Sequence, residues 1–144
     1  MEALAEGTWL VANTKPGRYS HRSASTAVAV ALRAVYLFEQ ADELLKGIQL
    51  GDDVDVDVQV VQERALMNAF WATTLLSVGH AKDAGPHLVT SAEQALRMGR
   101  IAELAGNSEM AARALVIEAY AFSRLGYSSC AASRVPACMR RFGS

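Results

Sequence analysis

Cysteine is nearly absent: Cys130 and Cys138 are the 2 in 144 residues. Neither has a second Cys or a His at metal-ligand spacing, which argues against a zinc site, and two lone thiols near the C-terminus fit a reducing compartment better than a disulfide framework. Long apolar runs are also missing. The most apolar stretch, Ala27 to Leu32, stops at Arg33, whereas a membrane span needs about 20 such residues. The chain opens Met1, Glu2, Ala3, Leu4, Ala5, Glu6, without the basic segment of a secretory signal, so secretion is not expected. Nor does charge of either sign dominate. Lys and Arg number 14 against 15 Asp and Glu, for a net charge of −1, which gives no global attraction to nucleic acid or an anionic membrane. With 51% apolar and 20% charged residues, the composition excludes wholesale disorder and fits one domain with a real core. Between Gly7 and Phe38 no acidic residue occurs, while Lys15, Arg18, Arg22 and Arg33 stand among serines. That bias resembles a mitochondrial presequence, and Glu2 and Glu6 oppose it. A cytoplasmic location is expected, with a mitochondrial one second.

Three prolines and abundant alanine leave long segments whose apolar residues recur at helical spacing, so the expected fold is all-α. Val30, Ala34, Leu37, Ala41 and Leu44 form one stripe and predict a helix over about 25–46. Gly47 and Gly51 then stop it, and Asp52, Asp53, Asp55 and Asp57 suit a loop and the positive end of the next helix. That second helix should run over about 58–78, with Val61, Ala65, Ala69 and Leu76 on one face. It is apolar almost all round in its second half, as befits the centre of a bundle or a docking surface. Gly79 and Gly85-Pro86 read as punctuation. Thr90 with Glu93 reads as a capping box for a third helix ending near Gly106. Asn107 and Ser108 can cap a fourth, where Ala111, Leu115, Ala119 and Phe122 share a face until Gly126. The expectation is a compact bundle of about four helices over 25–126, an N-terminal extension over 1–24, and a loose tail over 127–144.

Motifs that carry chemistry are missing. There is no Gly-x-Ser-x-Gly elbow, no P-loop and no dinucleotide fingerprint, and the aspartates from Asp52 to Asp57 lack the central glycine and closing glutamate of a calcium loop. His80, Asp83 and His87 could share a metal across a turn, but solvated loop histidines are the preferred reading and no metal is expected. No cofactor is expected. Phe70 and Trp71, adjacent aromatics on a predicted helix, stand beside Met67. A core role fits these residues; so does a docking role anchored on Trp71, since tryptophan is enriched among interface hot spots.

The run Glu63, Arg64, Ala65, Leu66, Met67, Asn68, Ala69, Phe70, Trp71, Ala72, Thr73, Thr74, Leu75, Leu76 resembles part of the X domain found C-terminal to the J domain in a subset of DnaJ-type co-chaperones. Upstream, Lys15-Pro16-Gly17-Arg18, then Ser25, Thr26 and Ala27, then a helix with Glu39 and Glu43, is similar to that family's order of features. Downstream, Ala111 to Phe122 is similar to its closing helix, with Ala114 and Leu115 in the Ala-Leu positions. The chain departs from the family pattern at Ser77 and Gly79, where two acidic residues are usual, and at Gly85-Pro86, where a Val-Cys pair is common. The resemblance implies a helical accessory region of a co-chaperone that holds clients or partners without catalysis. His21, His80 and His87 are followed by Arg22, Ala81 and Leu88, so the His-Pro-Asp loop of a J domain is missing, and this chain alone is not expected to stimulate a heat-shock ATPase.

The leading expectation is therefore a noncatalytic interaction domain whose partner-binding residues are Met67, Phe70 and Trp71, with a protein as partner and neither nucleic acid nor metal. Two rivals stand beside it. One is a tetratricopeptide-like adaptor, for which Gly99, Gly106 and Ala111 fall at the right small-residue spacing, but the earlier match, Gly79 with Ala84, lies only about 27 residues upstream instead of roughly 34. The other is a structural subunit of a mitochondrial or other assembly.

Overall fold

The computed structural model describes residues 2–13, 19–50 and 54–132. Every regular element among them is an α-helix: α1 Glu2–Asn13, α2 Tyr19–Ala34, α3 Phe38–Lys46, α4 Val54–Ser77, α5 Ala81–Leu104 and α6 Ser108–Ala132. The all-α expectation holds, but there are six helices where about four were expected. None of the described helices is long and apolar enough to cross a membrane.

Four differences follow from packing or backbone geometry. The segment read as an N-terminal extension carries α1, which packs on α2, and the first turns of α2 itself. The helix expected over 25–46 is two helices, because Tyr36 takes a positive φ of 64° and turns the chain. Helix α5 begins at Ala81 and runs straight through Gly85 and Pro86. Pro86, the sixth residue of α5, cannot donate to the Lys82 carbonyl, and its ring crowds that carbonyl. Burial of Ala84 and Leu88 against Ala72 of α4 outweighs that loss, as tertiary packing often does. Thr90 is consequently mid-helix, where its hydroxyl donates to the Pro86 carbonyl at 3.1 Å instead of capping. Lastly, α6 extends through Ala132, past the expected start of the tail; residues 133–144, including Cys138, lie outside the described residues.

Three junctions share one geometry. The N–H of Leu37 bonds the carbonyl of Leu32, that of His80 bonds Leu75, and that of Asn107 bonds Ala102, at 2.9, 2.8 and 2.8 Å. In each, the preceding residue (Tyr36, Gly79 or Gly106) has positive φ, the arrangement of a Schellman helix stop. The same residue then opens the next helix, since Leu37, His80 and Asn107 accept from Ala41, Ala84 and Ala111, each at 3.1 Å. Asn107 adds a side-chain cap, its Oδ1 accepting from the Met110 N–H at 3.1 Å, as the sequence predicted. Helices α4, α5 and α6 start at successive intervals of 27 residues. Because Gly79 and Gly106 supply positive φ, replacing either by alanine is expected to cost about 1–2 kcal/mol in urea unfolding; a change below about 0.3 kcal/mol would show that the stop relaxes.

Helix α4 is the shared wall. Its buried Val58, Val61 and Ala65 pack with Ala95, Met98 and Ala102 of α5 and with Met110, Ala114 and Ile117 of α6. Its Val60 and Met67 pack instead with Ala29 of α2 and with Phe38, Ala41 and Leu45 of α3. The two-sided burial falls mainly in the first half of α4, whereas the second half, expected to be apolar all round, leaves Phe70 exposed. Two ion pairs tie α2 to α4, Arg22 to Asp57 and Arg33 to Glu63, each at 2.6 Å.

Candidate functional site

The three residues singled out by sequence part company, since successive positions on a helix point about 100° apart. Met67 is fully buried in the core shared by α2, α3 and α4, and so cannot touch a partner in the folded protein. Trp71, partly buried against the same core, is a rung in an aromatic ladder. Its ring stacks on Phe38 of α3 with centroids 5.7 Å apart and an interplanar angle of 11°, and on His87 of α5 at 3.8 Å and 26°. Phe70 alone faces outward, 49% exposed.

His87 is held by more than the stack. Asn68 donates its amide to the Arg64 carbonyl at 2.9 Å, which orients its Oδ1 toward His87 Nδ1, 3.0 Å away; the neutral ring must then carry its proton on Nδ1 and donate. Burial holds the imidazole below its ordinary value of 6.5, outweighing the carboxylates of Asp42 and Asp83, which raise it, while Lys46 lowers it further. The folded chain therefore takes up this proton less readily than the unfolded chain. The stability so gained is present above about pH 6.5 and is lost as the pH falls through the lower folded value. The melting temperature should drop from pH 7.5 to 5.5, and His87→Phe should flatten that slope; equal slopes would refute the assignment.

Phe70 opens onto a groove of about 320 Å³ between α4 and α6. Leu66, Ala69, Phe70 and Thr73 form one wall, and Val116, Ile117 and Tyr120 form the other. Leu66 is followed at three, four and seven residues by its wall partners, and Tyr120 follows Ile117 and Val116 at three and four, which puts each set on one helical face. Val116 is 70% exposed. The Thr73 and Tyr120 hydroxyls hydrogen-bond across one end. The Arg33 guanidinium lies 4.8 Å from the centre of the Phe70 ring and is gripped by Glu63 through two bonds of 2.6 and 3.3 Å. Burial raises Glu63 above its ordinary value of 4.5, and Arg33 pulls it back down only in part. Arg124 lies 5.5 Å from the Tyr120 ring centre.

Sequence reasoning missed Leu66, Ala69, Val116, Ile117 and Tyr120. The available signal was the apolar girth of α4, which required a second apolar surface opposite it. A wider cleft of about 680 Å³ lies among α1, α2 and α3, with Val28, Leu32 and Leu44 beneath Glu39 and Glu43.

The suggested metal triad is not assembled. His80 and Asp83 lie 3.6 Å apart, while His87 is engaged with Trp71 and Asn68. Among the described residues no three His, Cys, Asp or Glu side chains are grouped to hold an ion. Asp55 and Asp57 lie in the first turn of α4, where carboxylates meet the positive helix end; Asp52 and Asp53 lie outside the described residues. No known family, curated protein or solved structure matches the chain.

Proposed function

We propose that this chain is a noncatalytic helical interaction domain that seats an apolar segment of a partner protein between α4 and α6, as a client- or partner-holding accessory region of a co-chaperone would. The observation that carries the reading is the groove: Phe70 and Val116 stand exposed beside an apolar wall from each helix. A groove of that kind suits helix or peptide docking. Trp71 moves from anchor to support, since its ring is stacked between Phe38 of α3 and His87 of α5, and Phe70 takes the contact role.

Val116→Asp tests this. The residue is exposed, so unfolding free energy should change by no more than about 0.5 kcal/mol, while a charge in the groove should abolish the ability to suppress light scattering by reduced insulin. If the wild type leaves insulin aggregation unaffected, client holding is excluded.

A specific observation supports a second reading, a helical-hairpin adaptor. The three alike junctions, each followed by an alanine (Ala41, Ala84 or Ala111), and the recurrent 27-residue interval are features of a stacked array. A photoreactive residue at position 116 that crosslinks one discrete partner, together with no effect on insulin, would favour the adaptor.

A further inference from the structure

We infer that the segment seated between α4 and α6 is apolar where it meets Phe70 and Val116 and carries a carboxylate about 12 Å further on, at Arg124. This rests on the groove reading above and specifies its partner. The argument is one of charge. Of the cations at this face, Arg33 is held by Glu63 through two hydrogen bonds, and Arg113 by Glu109 at 2.7 Å. Arg124 stands over the Tyr120 ring with no carboxylate in ion-pair range among the described residues, and no acidic residue lines the groove. The groove is therefore apolar up to the Thr73 and Tyr120 hydroxyls that span its end, and positive one turn beyond them, at Arg124.

Position fixes the spacing. Arg124 follows Val116 by eight residues, or about 12 Å of helix axis, and lies one turn beyond Tyr120. An occupant anchored at Val116 meets the guanidinium after about three residues of extended chain or two turns of helix. Since α5 packs antiparallel to both α4 and α6, these two helices run in the same direction and the positive end lies toward their C-termini. That asymmetry gives the occupant one sense along the groove. A carboxylate there gains a charge-assisted bond to a guanidinium already oriented by the ring beneath it.

The probe is a phage-displayed library of random 12-residue peptides, selected on the wild type, Arg124→Gln and Val116→Asp, all first shown to melt alike. The wild type is expected to enrich peptides with apolar residues followed, at the spacing above, by Asp or Glu. A synthetic copy of one should bind Arg124→Gln about three- to five-fold more weakly, the scale of an exposed ion pair. Its Glu→Gln version should lose the same factor on the wild type and nothing more on Arg124→Gln. Enriched peptides without an acidic residue that still fail on Val116→Asp would overturn the carboxylate and leave the groove. Peptides that bind Val116→Asp as well as the wild type, or no enrichment at all, would overturn both.

Discussion

Trp71→Ala is expected to destabilise the fold by about 3 kcal/mol in urea unfolding while leaving the groove able to bind. The indole lies between Phe38 of α3 and His87 of α5, so its removal opens a void where three helices meet. Full truncation of a buried tryptophan costs about 3–5 kcal/mol; Trp71 retains some exposure, which places it at the lower end. Each aromatic stack lost adds a fraction of about 0.5–1.5 kcal/mol to that figure. Trp71→Phe keeps an aromatic ring between the same neighbours and should cost about 1 kcal/mol. A docking anchor would show the reverse, with binding abolished and unfolding changed by less than about 0.5 kcal/mol, and that result would return Trp71 to the partner surface.

How much of this arrangement was legible in the sequence depends on which helix is read. On α4 the stripe of Val61, Ala65 and Ala69 is buried and Leu76 partly so, as periodicity predicts, because α4 lies between α5 and α6 on one side and α2 and α3 on the other, so most of its faces meet a neighbour. On α6 the predicted stripe points outward: Leu115 is 66% exposed and Phe122 39%, while Met110, Ala114, Ile117 and Ala121 are buried. The two stripes differ by about 100° of rotation, and an alanine-rich helix gives hydrophobicity little power to choose between them. The break at Tyr36 was hidden for another reason. A tyrosine occupies a left-handed position normally marked by glycine, so no punctuation showed between Ala34 and Phe38. Aromatic concentration pointed to one turn of α4 but could not separate Phe70, which is exposed, from Met67 and Trp71, whose partners come from α2, α3 and α5 and are remote in sequence. The Val116 side of the groove likewise depends on how α6 is rotated, which only packing decides.

The largest electrostatic effect is expected from Asp57→Ala, at about 3–5 kcal/mol. Arg22 Nη1 donates to Asp57 Oδ1 at 2.6 Å, and the two side chains are only 6% and 11% exposed. Removing the carboxylate leaves a guanidinium buried without its counter-charge, a loss far greater than the net worth of the pair. Arg22 Nε and the Ser25 Oγ one turn away are already buried without hydrogen-bond partners, so this corner is under-satisfied before the carboxylate is removed, and a neutral hydroxyl cannot replace its charge. Chemical unfolding of four proteins separates the pair's own contribution from that penalty: wild type, Asp57→Ala, Arg22→Met, and the double variant Arg22→Met with Asp57→Leu. The double variant should recover to within about 1 kcal/mol of wild type, since an apolar pair of similar volume replaces two desolvated charges. Burial also screens the pair from salt, so the Asp57→Ala loss should persist at 1 M NaCl. The exposed Arg113 to Glu109 pair provides the contrast: Glu109→Ala should change stability by less than about 0.5 kcal/mol and vanish in salt. A double variant no more stable than Asp57→Ala alone would mean that the pair holds α2 against α4 through its geometry, which apolar side chains of similar size cannot reproduce.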